Sequence, residues 1–212
     1  MSQKQKLIDY WISSGIIKDK KVIESFKEIP RGKFMKPEHK KEAYGDYPLS
    51  IGEGQTISQP TTVMLMTEAP ELKKGHKVLE VGSGSGYQAA IISKIIGDKG
   101  RLISTEIIPE LAEFAKNNIK KLNIKNVEII NCDGSKGFAK EAPYDRIIVT
   151  AASPKIPKPL IKQLKEGGII IIPVGDLLEQ AMIKGVKNNN KLVEENIGQF
   201  MFVPLKGKYG HG

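Results

Sequence analysis

The sequence predicts an α/β fold: a doubly wound, mostly parallel sheet with an N-terminal helical extension. Runs rich in Ile and Val alternate with helix-like segments from residue 78 to residue 174. Apolar residues are continuous within these runs, which is typical of parallel strands covered on both faces. The first run leads into a glycine-rich turn and then a helix, an arrangement found at the ligand-binding edge of such sheets.

The composition of the chain favours a single domain with an ordinary solvated surface. Its 212 residues suffice for one domain with its own core. The 33 Lys and Arg residues against 24 Asp and Glu give a net charge of +9. Such a charge is compatible with nucleic acid or another acidic partner, but the lysines are spread along the chain, which favours the simpler interpretation.

The cysteine, histidine and apolar content limits the expected compartment and ligands. Cys132 is the only cysteine, so no internal disulfide can form and the reducing cytoplasm is expected. The Lys-rich N-terminus lacks the apolar core of a signal peptide, and no run approaches the ~20 apolar residues of a membrane helix. Because His39, His76 and His211 are far apart, we expect no metal site.

The first 60 residues predict two helices followed by an irregular segment. An apolar stripe indicates a helix over residues 3–14 that ends at Gly15. A second short helix follows Asp19, a suitable N-cap, and stops at Pro30. From residue 31 to residue 60, Gly and Pro interrupt any pattern. Long ordered loops are uncommon in compact chains and are often functional.

The end of that segment places hydroxyl residues in front of a predicted helix. Residues 61–72 have a helical, mostly apolar character, and Pro60 suits the first helical position. Ser58 can be explained as part of the helix cap, and Thr56 as an ordinary turn hydroxyl. Composition alone leaves these interpretations as good as a functional one.

Beyond residue 78, strands and helices alternate regularly. The later predicted strands are 101–106, 127–133, 144–150 and 169–174, and the predicted helices are 88–96, one opened by Pro109, and one around 158–164. Residues 180–187 and 192–197 flank three asparagines and predict a hairpin, and residues 199–205 predict a last strand.

The glycine turn lies in residues 78–87 (VLEVGSGSGY). Its three alternating glycines have no Cβ, so the backbone can pass close to a ligand, and the following helix aims free N–H groups at the turn. A dinucleotide-binding turn has its third glycine one residue later, where Tyr87 stands. The G-x-G-x-G form with Glu80 at the strand end resembles the first motif of methyltransferases that use S-adenosylmethionine (SAM). A glycine-rich loop without a ligand is the alternative.

A second acidic residue strengthens the prediction of a nucleoside site. Glu106 follows Gly86 by 20 residues and ends the next strand-like run. In a βαβ unit this spacing places a carboxylate beside the glycine turn, where it can accept hydrogen bonds from both ribose hydroxyls. These two features alone also fit a nicotinamide dinucleotide.

Right-handed crossovers bring the carboxyl ends of the parallel strands to one edge of the sheet. The residues expected there are Glu80, Gly82, Gly84, Glu106, Asp133, Gly134 and Thr150. Asp133 can accept a hydrogen bond from the exocyclic amine of an adenine, although Asp-Gly is also a common turn. The closing hairpin suits a seven-stranded methyltransferase sheet better than a six-stranded nicotinamide-binding one.

Together these segments resemble the protein-L-isoaspartate (D-aspartate) O-methyltransferase family over nearly the whole chain. The most specific part is residues 54–60 (GQTISQP), whereas the glycine motif is shared by many methyltransferases. The other matching segments are 29–31 (IPR) with Phe34, 43–44 (AY), 48–49 (PL), 79–87 (LEVGSGSGY), Gly134-Ser135 after Asp133, 144–145 (YD), 148–152 (IVTAA), 173–175 (PVG) and 202–205 (FVPL). Position 42 is Glu, and the tail after Leu205 is short and basic.

The resemblance implies a fold, an activity and a cofactor. That family transfers a methyl group from SAM, yielding S-adenosyl-L-homocysteine, to the α-carboxylate of isoaspartyl residues in damaged proteins and peptides. The ester collapses to a succinimide, which hydrolyses partly to normal Asp. The implied fold is a seven-stranded, Rossmann-like SAM-dependent methyltransferase sheet. We expect one domain over residues 1–212, with N-terminal helices and an active-site loop in 1–60 and the SAM-binding core and C-terminal hairpin in 61–212.

The resemblance also implies roles for individual residues. Ser58 is the implied catalytic residue, whose hydroxyl would orient the substrate carboxylate. The implied substrate-binding residues are Thr56, Ile57, Ser58, Val203 and Pro204, the last two by a main-chain mode. The implied cofactor-binding residues are Gln55, Thr56, Ile57, Glu80, Gly82, Ser83, Gly84, Ser85, Gly86, Glu106, Ile107, Asp133 and Gly134. The expected partners are isoaspartyl proteins and peptides; no nucleic acid or membrane is expected, and the oligomeric state stays open.

Two other functions fit parts of the sequence. The net charge of +9 fits a nucleic-acid methyltransferase. However, residues 150–153 (TAAS) stand where amino-methylating types have an N/D-P-P-Y/F motif, and Asp follows Cys132 where cytosine C5 chemistry needs Pro beside the nucleophile. A basic, non-enzymatic nucleotide-sensing domain would keep the sheet but leave the loop at 51–60 without a role. We therefore predict an isoaspartyl methyltransferase, with the nucleic-acid enzyme as the alternative.

Overall fold

The structure is a computed structural model that describes residues 1–211. Its helices are α1 (Gln3–Ser14), α2 (Lys20–Glu28), α3 (Pro60–Glu68), α4 (Tyr87–Ile96), α5 (Pro109–Lys121) and α6 (Lys158–Gln163). Its strands are β1 (Leu49–Gly52), β2 (Gln55–Ile57), β3 (Lys77–Val81), β4 (Arg101–Glu106), β5 (Val127–Asn131), β6 (Tyr144–Val149), β7 (Leu164–Gly175), β8 (Gln180–Asn188) and β9 (Lys191–Phe200). Short 3-10 helices cover Arg31–Phe34, Pro37–Glu42, Gly134–Lys136 and Ala139–Glu141.

Seven strands form one sheet in the order β5-β4-β3-β6-β7-β8-β9, and β1 and β2 form a separate hairpin. The pairs from β5 to β7 are parallel, whereas β8 and β9 are antiparallel to their neighbours. Strands β4 and β5 lie on one side of β3, and β6 and the later strands lie on the other side. The strand order therefore reverses between β3 and β6. Ligands bind outside the carboxyl ends of strands at such a switch point. The predicted α/β fold class is confirmed.

The core lies on both faces of this sheet. Val78 and Leu79, consecutive in β3, belong to different apolar clusters because successive strand residues point to opposite faces. Helix α4 covers one face, and its residues 89–92 are fully buried. Trp11 and Phe26 from α1 and α2 join the same cluster as α4, with their rings 4.7 Å apart. Among residues 1–211, no helix has the length and apolar character needed to cross a membrane.

The strand predicted over residues 199–205 is wrong. Strand β9 ends at Phe200, and the chain then leaves the sheet to run beside the loop after β6. There the Ala152 N–H donates to the carbonyl oxygen of Val203 at 2.8 Å, and the Leu205 N–H donates to that of Ala152 at 2.7 Å. Pro204 has no N–H with which to continue a ladder, so the contact stays a single bridge.

The structure also contains a hairpin that was not predicted, within the segment expected to be irregular. Strands β1 and β2 pair antiparallel around Glu53 and Gly54, whose φ angles are 54° and 67°. Two central residues with positive φ match the hairpin turn whose twist suits the strands. Glu is an unusual residue at positive φ, which explains why the sequence signal was weak. The hairpin carries Gln55–Ile57 to the sheet edge described below.

Two other boundaries differ from the prediction. Helix α3 ends at Glu68, before residue 72: Ala69 still has helical angles, but Pro70 has no N–H with which to continue the hydrogen-bond ladder. Strand β7 begins at Leu164, before residue 169, and passes through Gly167 at a φ of 72°. The helices predicted over 3–14 and 88–96 and the strand over 101–106 are confirmed to within a residue.

Arg31 connects the N-terminal segment to the loop before α3. Its side chain is fully buried, and its guanidinium donates hydrogen bonds to the carbonyl oxygens of Ala43 at 2.7 Å, Tyr47 at 3.3 Å and Ser58 at 3.0 Å. Burial lowers the pKa of Arg31 from its ordinary value, because it penalises the charged form. Three carbonyl dipoles therefore replace water around this charge, and they fix the loop that carries Ser58.

Replacing Arg31 with Met is expected to destabilise the protein by about 3 kcal/mol, because three carbonyl oxygens lose their donor. Arg31→Lys retains the charge but has fewer donors, so we expect an intermediate loss. The control is Arg101→Met, since Arg101 is half-exposed and pairs with Glu128 and Glu141 at the surface, where ion pairs contribute about 1 kcal/mol or less. Urea unfolding followed by circular dichroism measures all three. An Arg31→Met midpoint equal to that of Arg101→Met would contradict this account.

Candidate active site

The turn between β3 and α4 forms the floor of a cavity at the carboxyl edge of the sheet. Gly82, Gly84 and Gly86 have positive φ angles of 98°, 51° and 84°. A Cβ on Gly82 would lie 2.3 Å from Oγ1 of Thr150, far closer than any real contact. The Thr150 hydroxyl donates hydrogen bonds to the Gly82 and Val81 carbonyl oxygens, at 2.7 Å and 3.1 Å. Both φ and the lack of space therefore require glycine at position 82.

Glu106 supports this turn from the end of β4. One of its carboxylate oxygens accepts a hydrogen bond from Gly84 N at 2.9 Å, and the other from Ile108 N at 3.1 Å. Its side chain is almost fully buried and lines the cavity. Because a carboxylate has about four acceptor sites, two remain available to a ligand. The structure thus brings the carboxylate and the glycine turn together, as the spacing predicted.

The cavity comprises about 800 Å³ of space outside the protein atoms, its open mouth included, which suits a ligand of nucleoside size. The predicted site residues that line it are Gln55, Thr56, Ile57, Ser58, Gly82, Ser83, Gly84, Ser85, Glu106, Ile107, Gly134, Val203 and Pro204. The described part of the chain holds no group of three or more His, Cys, Asp or Glu side chains that could bind a metal ion.

Further residues line the cavity without having been assigned to the site from the sequence. They are Val63, Val81, Tyr87, Gln88, Thr105, Ile108, Thr150, Ala151, Leu205 and Lys206. Five of these ten residues, Val81, Tyr87, Thr105, Ile108 and Leu205, are direct neighbours of assigned residues, and this adjacency was the available signal. Thr150 was expected at this edge but was given no role. Val63 lies on α3, and nothing in the sequence separates its cavity contact from ordinary packing.

Gly134 lies where the chain after β5 meets the ends of β3 and β4. A Cβ on Gly134 would lie 2.3 Å from Oγ1 of Thr105 and 2.8 Å from a methyl carbon of Val81. Glycine is therefore required here by packing, and the backbone lies directly against the strands that form the cavity.

Ser58 lies between β2 and α3 at the cavity. Its carbonyl oxygen is held by Arg31, whereas its hydroxyl has no hydrogen-bond partner among residues 1–211. The helix-cap explanation for Ser58 is wrong, because Gln59 is the N-cap of α3 and no side chain caps it. Thr56 lies in strand β2, so it is not a turn residue either. The loop thus presents an unpaired hydroxyl beside the glycine turn.

Comparison with known proteins decides the family. The family model described as "Protein-L-isoaspartate(D-aspartate) O-methyltransferase (PCMT)" matches residues 2–210. This chain belongs to that family.

Curated relatives and solved structures agree with the PCMT assignment. "Protein-L-isoaspartate O-methyltransferase 2" of Archaeoglobus fulgidus is 51% identical over 191 residues, which cover 90% of this chain and 87% of the relative. The protein-L-isoaspartate O-methyltransferase of Pyrococcus horikoshii is 48% identical, with 97% and 94% covered. A solved protein-L-isoaspartate O-methyltransferase is 33% identical with a TM-score of 0.88, covering 97% of this chain and 67% of that one. A Plasmodium falciparum PCMT structure in complex with S-adenosyl-L-homocysteine is 28% identical with a TM-score of 0.85, covering 97% and 99%.

Glu80 of this PCMT chain does not lie where a strand-end ligand contact was expected. Strand β3 continues to Val81, so Glu80 points into the interior, is fully buried, and is not among the cavity-lining residues. The Ser104 hydroxyl donates to one of its carboxyl oxygens, and the other has no partner among residues 1–211. The Ser104 and Ser83 hydroxyls are 2.6 Å apart, so a chain of hydrogen bonds connects Glu80 to the glycine turn. Burial raises the pKa of Glu80 to about 8, so the carboxyl is mostly protonated at neutral pH.

Asp133 and Gly86 also lie outside the cavity lining. The Asp133 carboxylate accepts hydrogen bonds from Ser135 N at 3.0 Å, from the Ser135 hydroxyl at 2.6 Å and from Lys208 N at 3.0 Å. Burial opposes ionisation of Asp133, but these hydrogen bonds hold its pKa below the usual range. Geometry therefore gives no support to the predicted adenine contact. Gly86 is the N-cap of α4, and a Cβ there would lie 3.4 Å from Ala115 of α5.

Glu80 predicts a pH-dependent stability. A carboxyl whose pKa is raised from 4.5 to about 8 on folding holds its proton more tightly in the folded state. The wild-type protein should therefore lose stability relative to Glu80→Gln as pH rises from about 4.5 to about 8, by up to about 1.4 kcal/mol per pH unit. Below this window the difference should be constant. Denaturant unfolding of both proteins across the window measures it, and a gap that does not change with pH would refute the assignment.

Proposed function

We propose that this chain methylates the α-carboxylate of L-isoaspartyl residues in proteins and peptides, with SAM as methyl donor, and so initiates their repair through a succinimide. One observation carries the proposal: Ser58, whose hydroxyl has no partner among residues 1–211, lines the same cavity as the glycine turn and Glu106. Membership of the PCMT family over residues 2–210 supports it. The nucleic-acid alternative is not favoured by these relatives.

The residues of the cavity fit the nucleoside part of SAM. The glycine turn lines the cavity with backbone that no side chain covers at Gly82 and Gly84, and Glu106 retains acceptor sites for the two ribose hydroxyls. Ile107, which is 36% exposed, offers an apolar side chain beside Glu106 for a base. When bound, SAM supplies a methyl group on a positively charged sulfur, which a carboxylate can displace directly.

Ser58 is the proposed catalytic residue. Its hydroxyl donates a hydrogen bond to one oxygen of the substrate α-carboxylate and so holds the other oxygen in line for displacement. That carboxylate is already ionised at neutral pH, since an α-carboxyl has a pKa of about 3.5. No general base is therefore required, and the protein contributes mainly alignment, a term of ~7–11 kcal/mol in favourable cases. Arg31 fixes the Ser58 backbone and hence the direction of the hydroxyl.

Val203 and Pro204 are the proposed main-chain contacts of the substrate peptide. The carbonyl oxygen of Val203 is already used by Ala152, and Pro204 has no N–H. The carbonyl oxygen of Pro204 has no partner among residues 1–211, so it is the acceptor available to a substrate N–H. Main-chain pairing of this kind does not read side chains, which suits an enzyme that must accept damaged sites in many sequences.

Ser58→Ala is expected to lower kcat by ~10²–10³, because it removes a donor that orients the reacting carboxylate. SAM affinity should stay within about twofold, since the hydroxyl contacts the substrate rather than the cofactor. Ser50→Ala is the control, because Ser50 lies in the same hairpin but not at the cavity. Labelled SAM with matched Asp and isoAsp peptides, scored as base-labile methyl ester, measures turnover. Full turnover by Ser58→Ala would defeat the assignment.

Glu106→Gln is expected to weaken SAM binding by at least about tenfold, because a charged acceptor for the ribose is lost and such hydrogen bonds contribute about 1.5–3 kcal/mol. The exposed Glu110→Gln, in the first turn of α5, is the control and should bind SAM as the wild type does. Titration calorimetry gives both dissociation constants. Equal affinity in the two variants would remove Glu106 from the cofactor site.

A further inference from the structure

A group of exposed apolar side chains lies at the same edge of the sheet as the cavity. Leu177 and Leu178, between β7 and β8, are 60% and 86% exposed, and Met201, just after β9, is 79% exposed. These three residues are called the apolar rim below. Strand β7 ends at the carboxyl edge of the parallel strands, β8 begins there and β9 ends there. Large apolar side chains exposed beside a binding cavity point to an interaction site.

Hydrogen bonds hold the rim in a fixed shape. One carboxylate oxygen of Asp176 accepts from Leu178 N at 2.7 Å and from Glu179 N at 2.8 Å, which forms the turn. The buried side-chain amide of Gln180 donates to the carbonyl oxygens of Asp176 and Phe202, both at 3.1 Å, and accepts from Phe202 N at 2.6 Å. One side chain thus ties the turn to the segment after β9, so the backbone that carries Leu177 and Leu178 is held beside the segment that carries Met201.

The rim is continuous with the cavity. Val203 and Pro204 line the cavity and follow Met201 closely in the chain. Two residues of extended chain span about 7 Å, so a peptide that contacts Val203 reaches the rim within two or three of its own residues. At the base of the turn, Gly175 N donates to the carbonyl oxygen of Ser153 at 3.0 Å, which attaches the rim to the loop beside the cavity.

We propose that the apolar rim binds apolar side chains of the substrate polypeptide, two or three residues from the isoaspartate. This inference rests on the proposed function, which places the isoaspartyl carboxylate at Ser58. Contact between a leucine of the substrate and the rim removes apolar surface of both partners from water. The rim therefore favours damaged sites within apolar stretches of chain, which become accessible when a protein is partly unfolded. It acts on substrate affinity, since it does not touch the reacting atoms.

The test uses the full chain, SAM and two isoaspartyl peptides that differ only at the second and third residues on each side, Leu in one and Ser in the other. We expect kcat/KM for the Leu peptide to be about fivefold higher or more, through KM, because apolar area is buried. The triple variant Leu177→Ser, Leu178→Ser, Met201→Ser should lose this preference and retain kcat on the Ser peptide. The control Val193→Ser removes a 60% exposed apolar residue from the opposite end of β9 and should keep the preference.

The outcomes of this experiment distinguish the rim proposal from the proposed function. Equal kcat/KM of the wild type for the two peptides, or a preference that survives in the triple variant, overturns the rim proposal and leaves the proposed function intact. No methylation of either peptide by the wild type overturns the proposed function and the rim with it. Weaker SAM binding by the triple variant, or a change in its oligomeric state in sedimentation, assigns the rim to folding or to contact between copies and also overturns the proposal.

Discussion

The close approach of the Gly82 backbone to Thr150 is the constraint on which the site depends. Strands β3 and β6 are neighbours at the point where the strand order reverses, so the turn after β3 must pass over the end of β6. The Thr150 hydroxyl donates hydrogen bonds to the carbonyl oxygens of Val81 and Gly82, and the Glu106 carboxylate, at the end of β4, accepts one from the Gly84 N–H. The turn is therefore held in place by the protein itself, and a ligand does not have to order it.

The two sides of the cavity come from different parts of the chain. The sheet supplies the glycine turn and Glu106, whereas the N-terminal segment supplies the hairpin and the loop with Ser58. Arg31 connects that loop to the rest of the segment through buried hydrogen bonds. The segment before the sheet is thus a structural part of the cavity, because it carries Ser58 and supplies the hydrogen bond that holds its backbone.

The sequence was most informative where local pattern and structure coincide. Continuous apolar runs located the parallel strands, and the spacing from Gly86 to Glu106 predicted a carboxylate at the glycine turn. The sequence was least informative where the partner of a side chain is far away along the chain. Asp133 binds the backbone of Lys208, 75 residues later, and no local pattern indicates this. The prediction for Glu80 differs for another reason: β3 continues to Val81, so Glu80 lies within a strand that the core covers on both faces.

The outermost strand of the sheet affects the tendency of the protein to aggregate with other polypeptides. Among residues 1–211, β8 is the only strand that pairs with β9, so one row of β9 backbone groups has no partner strand. An exposed strand edge can capture other polypeptides by strand addition, which leads to aggregation. Exposed Lys191, Glu194 and Glu195, together with Gly198 at a φ of 136°, make this border charged and irregular. This edge of the sheet is therefore a poor template for strand addition by other polypeptides.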